Sequence, residues 1–288
     1  MRGSVMIKSL VGKTVAVSGA TGGIGRELCT LLAKSGASLI LLDRNPKKSE
    51  ALEAELKESF PELEVRRITV DLEDARAVKK TAQILKEFPL DALILNAGAY
   101  KIPRHKCDTG YDNVYQINFV SPYYLARTLA PHLKKRGGRV VAVGSIAHNY
   151  SNIDENDIDF STRKRHSKVY GNAKRYLMFS LYGLFEDKSG LAISHPGITL
   201  TNITSHYPKF LYFFMKPIMR VIFMKPKKAC LSIYEALFEN TKKNEWIGPR
   251  FFNVWGKPKK QILKTCSAEE ARKICEIADE VYRRMEEM

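Results

Sequence analysis

Thr14-Val15-Ala16-Val17-Ser18-Gly19-Ala20-Thr21-Gly22-Gly23-Ile24-Gly25 reads as a short buried strand that ends in a glycine-rich turn and opens a helix. Glycine tolerates the tight turn and lets backbone approach a phosphate closely, and the free N–H groups of a helix start favour an anion. The spacing, Gly19-x3-Gly23-x-Gly25, departs from the GxGxxG form. A glycine run alone would be equally consistent with a plain turn. Its position between strand and helix makes a dinucleotide site the preferred reading, with Ser18, Gly19, Thr21, Gly23, Ile24 and Gly25 as candidate contacts.

Outward from this turn, apolar runs alternate with helix-length amphipathic segments. Strands are expected at 14–19, 38–43, 65–71, 92–96, 139–145 and 191–197, with helices near 23–35, 47–59, 73–87, 111–135 and 168–186. Near-continuous Val/Ile/Leu runs suit strands covered on both faces, and β-α alternation with right-handed crossovers gives a doubly wound parallel sheet. No linker or repeat divides the chain, so it reads as one domain: a tail at 1–10, a core at 11–204, a distinct segment at 205–226 and a completion of the same domain at 227–288. The completion holds a helix near 227–240, a short strand at EWIGP and a last helix opened by Ser267 and Glu270 at capping-box spacing.

Composition narrows the function. The 288 residues are 44% hydrophobic with a formal charge of +16, which suits a folded core under a basic surface. Lys and Arg run from Arg2 to Arg284 without a basic-aromatic stripe, so no nucleic-acid partner is expected. The five cysteines, odd in number and without a CxxC pair, point to a reducing compartment and free thiols, with Cys29 in the core. The histidines show no metal spacing, and no metal is expected. The N-terminal runs are too short for a signal peptide and no uncharged run reaches about 18 residues, so the default location is cytoplasmic.

The residues that carry chemistry lie at strand ends and helix starts. Asp43 ends the second strand, where a carboxylate can accept hydrogen bonds from an adenosine ribose and repel a 2′-phosphate. Arg44 beside it could grip that phosphate, so NAD is slightly favoured and NADP stays open. Tyr170 and Lys174, at i and i+4 of a helix, share a face. A phenol ionises near ~10, and an ammonium beside it is expected to lower that value toward working pH. Ser145 ends the strand RVVAVGS at the carboxyl edge, where ligands of open α/β sheets bind. Asn118, polar within an apolar helical run, reads either as a functional group or as a core hydrogen bond.

Together with Asp71-Leu72, Asn96-Ala97-Gly98 and Pro196-Gly197-Ile198-Thr199-Leu200-Thr201, these motifs stand in the order found in the short-chain dehydrogenase/reductase family, which the chain resembles from about residue 11 to 201. The resemblance implies a Rossmann-type fold with helices on both faces and an NAD- or NADP-dependent oxidoreductase interconverting a secondary alcohol and a ketone. It implies that Tyr170 is the acid/base, that Lys174 holds the nicotinamide ribose, that Ser145 polarises the carbonyl and that Asn118 supports a proton relay. Asp71 and Leu72 would flank the adenine, Asn96, Ala97 and Gly98 the cofactor pocket, and Pro196, Gly197, Thr199 and Thr201 the nicotinamide end. A homodimer or homotetramer through the helices of Asn118 and Tyr170 is implied as well. Ser18 replaces the family's usual threonine, and Ser145 and Tyr170 stand 25 residues apart. The long intervening segment is similar to that of retinol dehydrogenase-like and hydroxysteroid dehydrogenase-like members. It reads equally as a substrate mouth or an inert excursion. An epimerase, another reductase or a non-catalytic dinucleotide sensor are the alternatives on this scaffold.

In such proteins the segment after the Pro-Gly motif forms a substrate lid. Here 205–226 is rich in Phe and Met, suited to a bulky apolar alcohol or ketone such as a steroid, bile acid or retinoid. Packing against the domain or a subunit is the plain alternative. Its Lys209, Lys216, Arg220 and Lys225 also fit peripheral contact with an anionic membrane, against which Pro217 counts.

Overall fold

The computed structural model describes residues 7–151, 153, 157, 165–185, 189–199, 224–263 and 266–288. Among them the strands are β1 (Thr14–Ser18), β2 (Ser38–Asp43), β3 (Val65–Thr69), β4 (Leu90–Leu95), β5 (Arg139–Val143), β6 (Leu191–Ser194), β7 (Glu245–Phe251) and β8 (Trp255–Ile262). They form one sheet in the order β3-β2-β1-β4-β5-β6-β7-β8. Pairing is parallel from β3 to β7, and β8 folds back antiparallel on β7. The strand order reverses between β1 and β4, which opens a crevice at their carboxyl ends.

Alternation along the strands divides the core. Val15, Val17, Leu39 and Leu41 face one side, packed with α1 (Gly23–Lys34), α2 (Pro46–Ser59) and α7 (Pro226–Ala236). Ala16, Ile40 and Leu42 face the other, with α3 (Ala75–Lys86), α5 (Ser121–Lys135), α6 (His166–Leu184) and α8 (Ala268–Glu287). Strands covered on both sides account for the unbroken apolar runs read in the sequence. β3, at the edge, is the exception, with Arg66 and Arg67 exposed.

Two departures concern local chemistry. The helical run expected at 111–135 is a short α4 (Asn113–Tyr115), a π turn at Gln116–Val120, and then α5. Pro122 has no N–H to give the carbonyl of Asn118 four residues earlier, so the ladder widens, and Ser121 N–H donates to Gln116 O instead. The strand β8, rich in lysine and carrying Pro258, was not anticipated.

α8 lies across α3, α5 and α6. It buries Ile274, Ile277, Ala278, Val281 and Met285, and Tyr282 stacks on Tyr124 at 5.2 Å. Ser267 Oγ accepts from Glu270 N at 3.1 Å, as a cap should. The capping box is only half formed, because the Glu270 carboxylate turns to the guanidinium of Arg175 at 2.7 and 2.6 Å. Among the described residues no helix is long and apolar enough to cross a membrane. The segment 205–223 and Thr201 lie outside the described residues.

Candidate active site

A cavity of about 390 Å³ opens at the carboxyl ends of β1, β2 and β4. The glycine turn makes one wall. Gly19 has φ +64°, and a Cβ there would stand 2.9 Å from Ala97 Cα; a Cβ on Gly25 would meet Gly19 O at 2.1 Å. At Gly19 both the left-handed backbone and the close neighbour demand glycine, and at Gly25 the close backbone does. α1 begins at Gly23 with no side-chain cap, so its first N–H groups are left for a ligand anion.

The polar residues around the turn fall into holders and free groups. Ser18 does not line the cavity; its Oγ accepts from Asn96 N and Ala97 N, both at 3.0 Å, and donates to Ile94 O. Asn96 Nδ2 donates to the carbonyls of Ser18 and Gly19 at 3.0 and 3.1 Å, tying β4 to the turn. Asp43 Oδ1 accepts from Thr21 N and Thr21 Oγ1 at 3.0 and 2.9 Å. Its Oδ2 is buried without a partner, and burial holds the carboxyl above the usual carboxylate range. A buried acceptor with no donor fits a ribose hydroxyl and is otherwise costly. Arg44 is 70% exposed at its side chain and pairs only loosely with Asp71 and Glu73, at 3.9 and 3.8 Å.

Gly19, Thr21, Gly23, Ile24, Gly25, Asp43, Arg44, Asp71, Leu72, Asn96, Ala97 and Gly98 thus come together on one cavity. Lys48, at the start of α2, lines it as well and was missed by the sequence reading. A lysine five residues beyond the strand end gave no signal apart from the general basicity.

The second group gathers beyond Gly98. Lys174 is buried, with Nζ donating to Val143 O at 2.9 Å, and burial pushes it down to about 8. A Cβ on Gly98 would lie 2.8 Å from Asn118 Oδ1 and 3.6 Å from Lys174 Nζ, so these groups converge on one point of backbone. Asn118 Nδ2 donates to Ala99 O and Val114 O, both at 2.8 Å, and Oδ1 accepts from Ala99 N at 3.3 Å. Every one of these contacts is to backbone, so the residue clamps the loop after β4 onto the π turn.

Ser145 caps the 3₁₀ turn Ile146–Tyr150, and its side chain lies near enough to the Tyr170 hydroxyl to act on its ionisation. The Tyr170 ring is half-buried and meets Tyr100 edge-on at 5.3 Å, an aromatic neighbour the sequence reading did not single out. Burial raises the phenol above its ordinary value, while the nearby Ser145 side chain acts to lower it. The expected depression by Lys174 is therefore not found in the protein alone: Nζ sits 5.9 Å from the ring centroid and is turned to Val143 O.

Pro196, Gly197 and Thr199 do not line the cavity. Gly197, at φ +83°, is wedged against Val254 O and the Met224 sulfur, and Thr199 bridges to Met224, which leads into α7. His148 and His195, buried around Trp246, were not predicted: His195 stacks on the indole at 4.6 Å, and His148 Nδ1 lies 2.6 Å from Ser145 O. Burial pushes His195 down to about 4, which keeps it neutral.

Comparison with known proteins agrees with this architecture. Human retinol dehydrogenase 13 is 28% identical over 206 residues, covering 69% of this chain; the chain spans 62% of that protein's length. A crystal structure of an uncharacterized protein from Mycobacterium Paratuberculosis superposes with a TM-score of 0.76 at 23% identity, covering 96% of each chain. A short-chain dehydrogenase from Sphingobium yanoikuyae in complex with NADPH gives 0.54 at 24% identity, covering 67% of this chain and 74% of that one. The family model described as short chain dehydrogenase matches residues 13–156, half of the sequence. The chain belongs to the short-chain dehydrogenase family.

Proposed function

We propose that this chain is a nicotinamide-dependent oxidoreductase interconverting a secondary alcohol and a ketone, with Tyr170 as the acid/base. The observation that supports the reading is the gathering of Ser145, Tyr170 and buried Lys174 at the carboxyl edge of the sheet, next to a cavity with an unpaired Asp43 oxygen. The nicotinamide cofactor would supply the hydride chemistry. Thr21, Asp43 and the N-terminus of α1 would hold its ribose and phosphates, and Lys174 its second ribose. Ser145 Oγ donates to the substrate oxygen, fixing it within reach of the phenol. Tyr170 gives that oxygen a proton in reduction and takes one in oxidation, and a phenol raised by burial is a proton donor that stays loaded at neutral pH.

NAD is the preferred cofactor in this reading, because a 2′-phosphate would meet the Asp43 carboxyl; Arg44 and Lys48 supply the cations that keep NADP in view. The relatives named as retinol dehydrogenases, and the Phe- and Met-rich segment 205–226, favour a bulky apolar alcohol such as a retinoid or steroid. The homodimer or homotetramer expected from the family would need faces of α5 and α6 that α8 covers here, and we read those faces as closed to a second copy. Co-sedimentation with anionic liposomes at low salt separates a membrane contact at 205–226 from a lid.

The decisive experiment follows reduced-nicotinamide absorbance with retinoid, steroid and aliphatic carbonyl compounds under both cofactors. Tyr170→Phe should lower kcat by roughly 10²–10⁴-fold with cofactor affinity nearly unchanged. Equal turnover in that variant would refute the assignment.

A further inference from the structure

Outside this machinery, three different metal-ligating side chains converge at the adenine end of the cleft. Glu73 follows Asp71 in the loop after β3, whereas His105 and Cys107 belong to the long connection between β4 and α4. One ligand atom of each lies within 4.8 Å of the other two. We propose that Glu73, His105 and Cys107 form a binding site for a borderline divalent cation, with Zn²⁺ the best fit.

The donor set is what argues for the metal. Carboxylate oxygen, imidazole nitrogen and thiolate sulfur are the ligands of Zn²⁺. Tetrahedral bonds of the usual lengths separate ligand atoms by about 3.3–3.8 Å, so closing on an ion takes about an ångström of side-chain movement. His105 Nε2 stands 2.8 Å from Glu73 Oε2 in a direct contact that an ion would replace, spreading the two atoms to about 3.3 Å.

The backbone holds the ligands in place without the ion. His105 O accepts from Asn113 N at 3.0 Å, Cys107 N donates to Tyr111 O at 2.8 Å, and Gly110 N donates to Cys107 O at 2.7 Å. Glu73 N is fixed by Asp71 Oδ1 at 3.0 Å. Asn113 Nδ2, 3.1 Å from His105 Nδ1, orients the ring.

Carboxylates of Asp71, Asp108 and Asp112 stand near the Cys107 thiol, with Asp112 paired to Arg104 at 2.7 Å and Glu73 3.8 Å from Arg44. The sulfur–metal bond forms as the S–H bond breaks, and the proton leaves to buffer. Three protein ligands leave a fourth position for water. Through that approach of Glu73 to Arg44 the site borders the cleft without using any residue assigned to the reaction.

Titration of the reduced, full-length protein with Co²⁺ tests the site without reference to activity. One Co²⁺ per chain should give tetrahedral visible bands and a sulfur-to-metal charge-transfer band in the near ultraviolet, both displaced by Zn²⁺. Cys107→Ser should abolish the sulfur band, and His105→Ala and Glu73→Gln should each weaken Zn²⁺ binding more than about tenfold. Cys266→Ser and Cys275→Ser should leave both unchanged. A sulfur band or parental Zn²⁺ affinity retained in Cys107→Ser overturns the proposal. So does a parent spectrum with no sulfur band, which decides the matter even where the variant fails to fold.

Discussion

Lys174 is a cation held where water cannot reach it, with Val143 O as its hydrogen-bond partner. Its folded value, about 8, lies below the unfolded 10.5, so between those values the unfolded chain binds the extra proton. Stability should therefore rise as pH climbs from about 8 toward 10.5 and stay level below about 8. Urea titrations across this window should show that Lys174→Met removes this rise; an unchanged slope would mean the ammonium is not desolvated. Asp43 supports a second prediction. Asp43→Ser removes the carboxyl that faces the ribose end and should raise the ratio of NADP to NAD affinity by about tenfold, measured by fluorescence titration of each reduced cofactor. Both residues could be picked out by motif. Ser145 and Tyr170 were legible as separate ingredients, from a strand end and a helical spacing. The sign of the Tyr170 shift was not, because it depends on how deeply the hydroxyl is buried and on where Lys174 Nζ points.

α8 shows how an element can look ordinary in sequence and yet be tied in by one buried pair. The side chain of Arg175 is 5% exposed and that of Glu270 22%, and their two short hydrogen bonds join α6 to α8 one residue from Lys174. Removing one partner leaves a buried charge, so Glu270→Gln should destabilise the fold by about 3 kcal/mol in denaturant unfolding. A loss near zero would mean that water reaches Arg175 in solution. Sequence gave the helix, its start at Ser267 and its apolar stripe, since all three are local. It could not give Glu270's partner, 95 residues away. β8 was illegible for the opposite reason. Trp255–Ile262 has a proline and no alternation of apolar residues, and only the antiparallel ladder to β7 makes it a strand. The trio Glu73, His105 and Cys107 escaped notice likewise, because its ligands come from two loops on different strands.

At the scale of the whole chain, the outer surfaces of α5 and α6 are occupied from within. Tyr124 stacks on Tyr282, the Arg127 guanidinium lies 4.3 Å from the same ring, and Arg175 of α6 pairs with Glu270 at 2.6 Å. Light scattering at micromolar concentration should give the monomer mass of 32.7 kDa, and deletion of 267–288 should produce association or aggregation. A dimer in the intact protein would place the contact on another face. The doubly wound order itself was readable from the Val/Ile/Leu runs, since strands covered on both sides leave little room for another pattern. The ends of that sheet carry one more consequence. An open sheet exposes two rows of unpaired amides that could recruit a foreign strand and seed fibrils. Here Arg66 guards one margin beside the Arg67–Glu53 pair, while Lys257, Lys259 and the N–H-less Pro258 guard the other beside the Lys260–Glu239 pair. Like charge at both margins sets copies of the molecule against stacking edge to edge, a protection that concentrated salt would erode first.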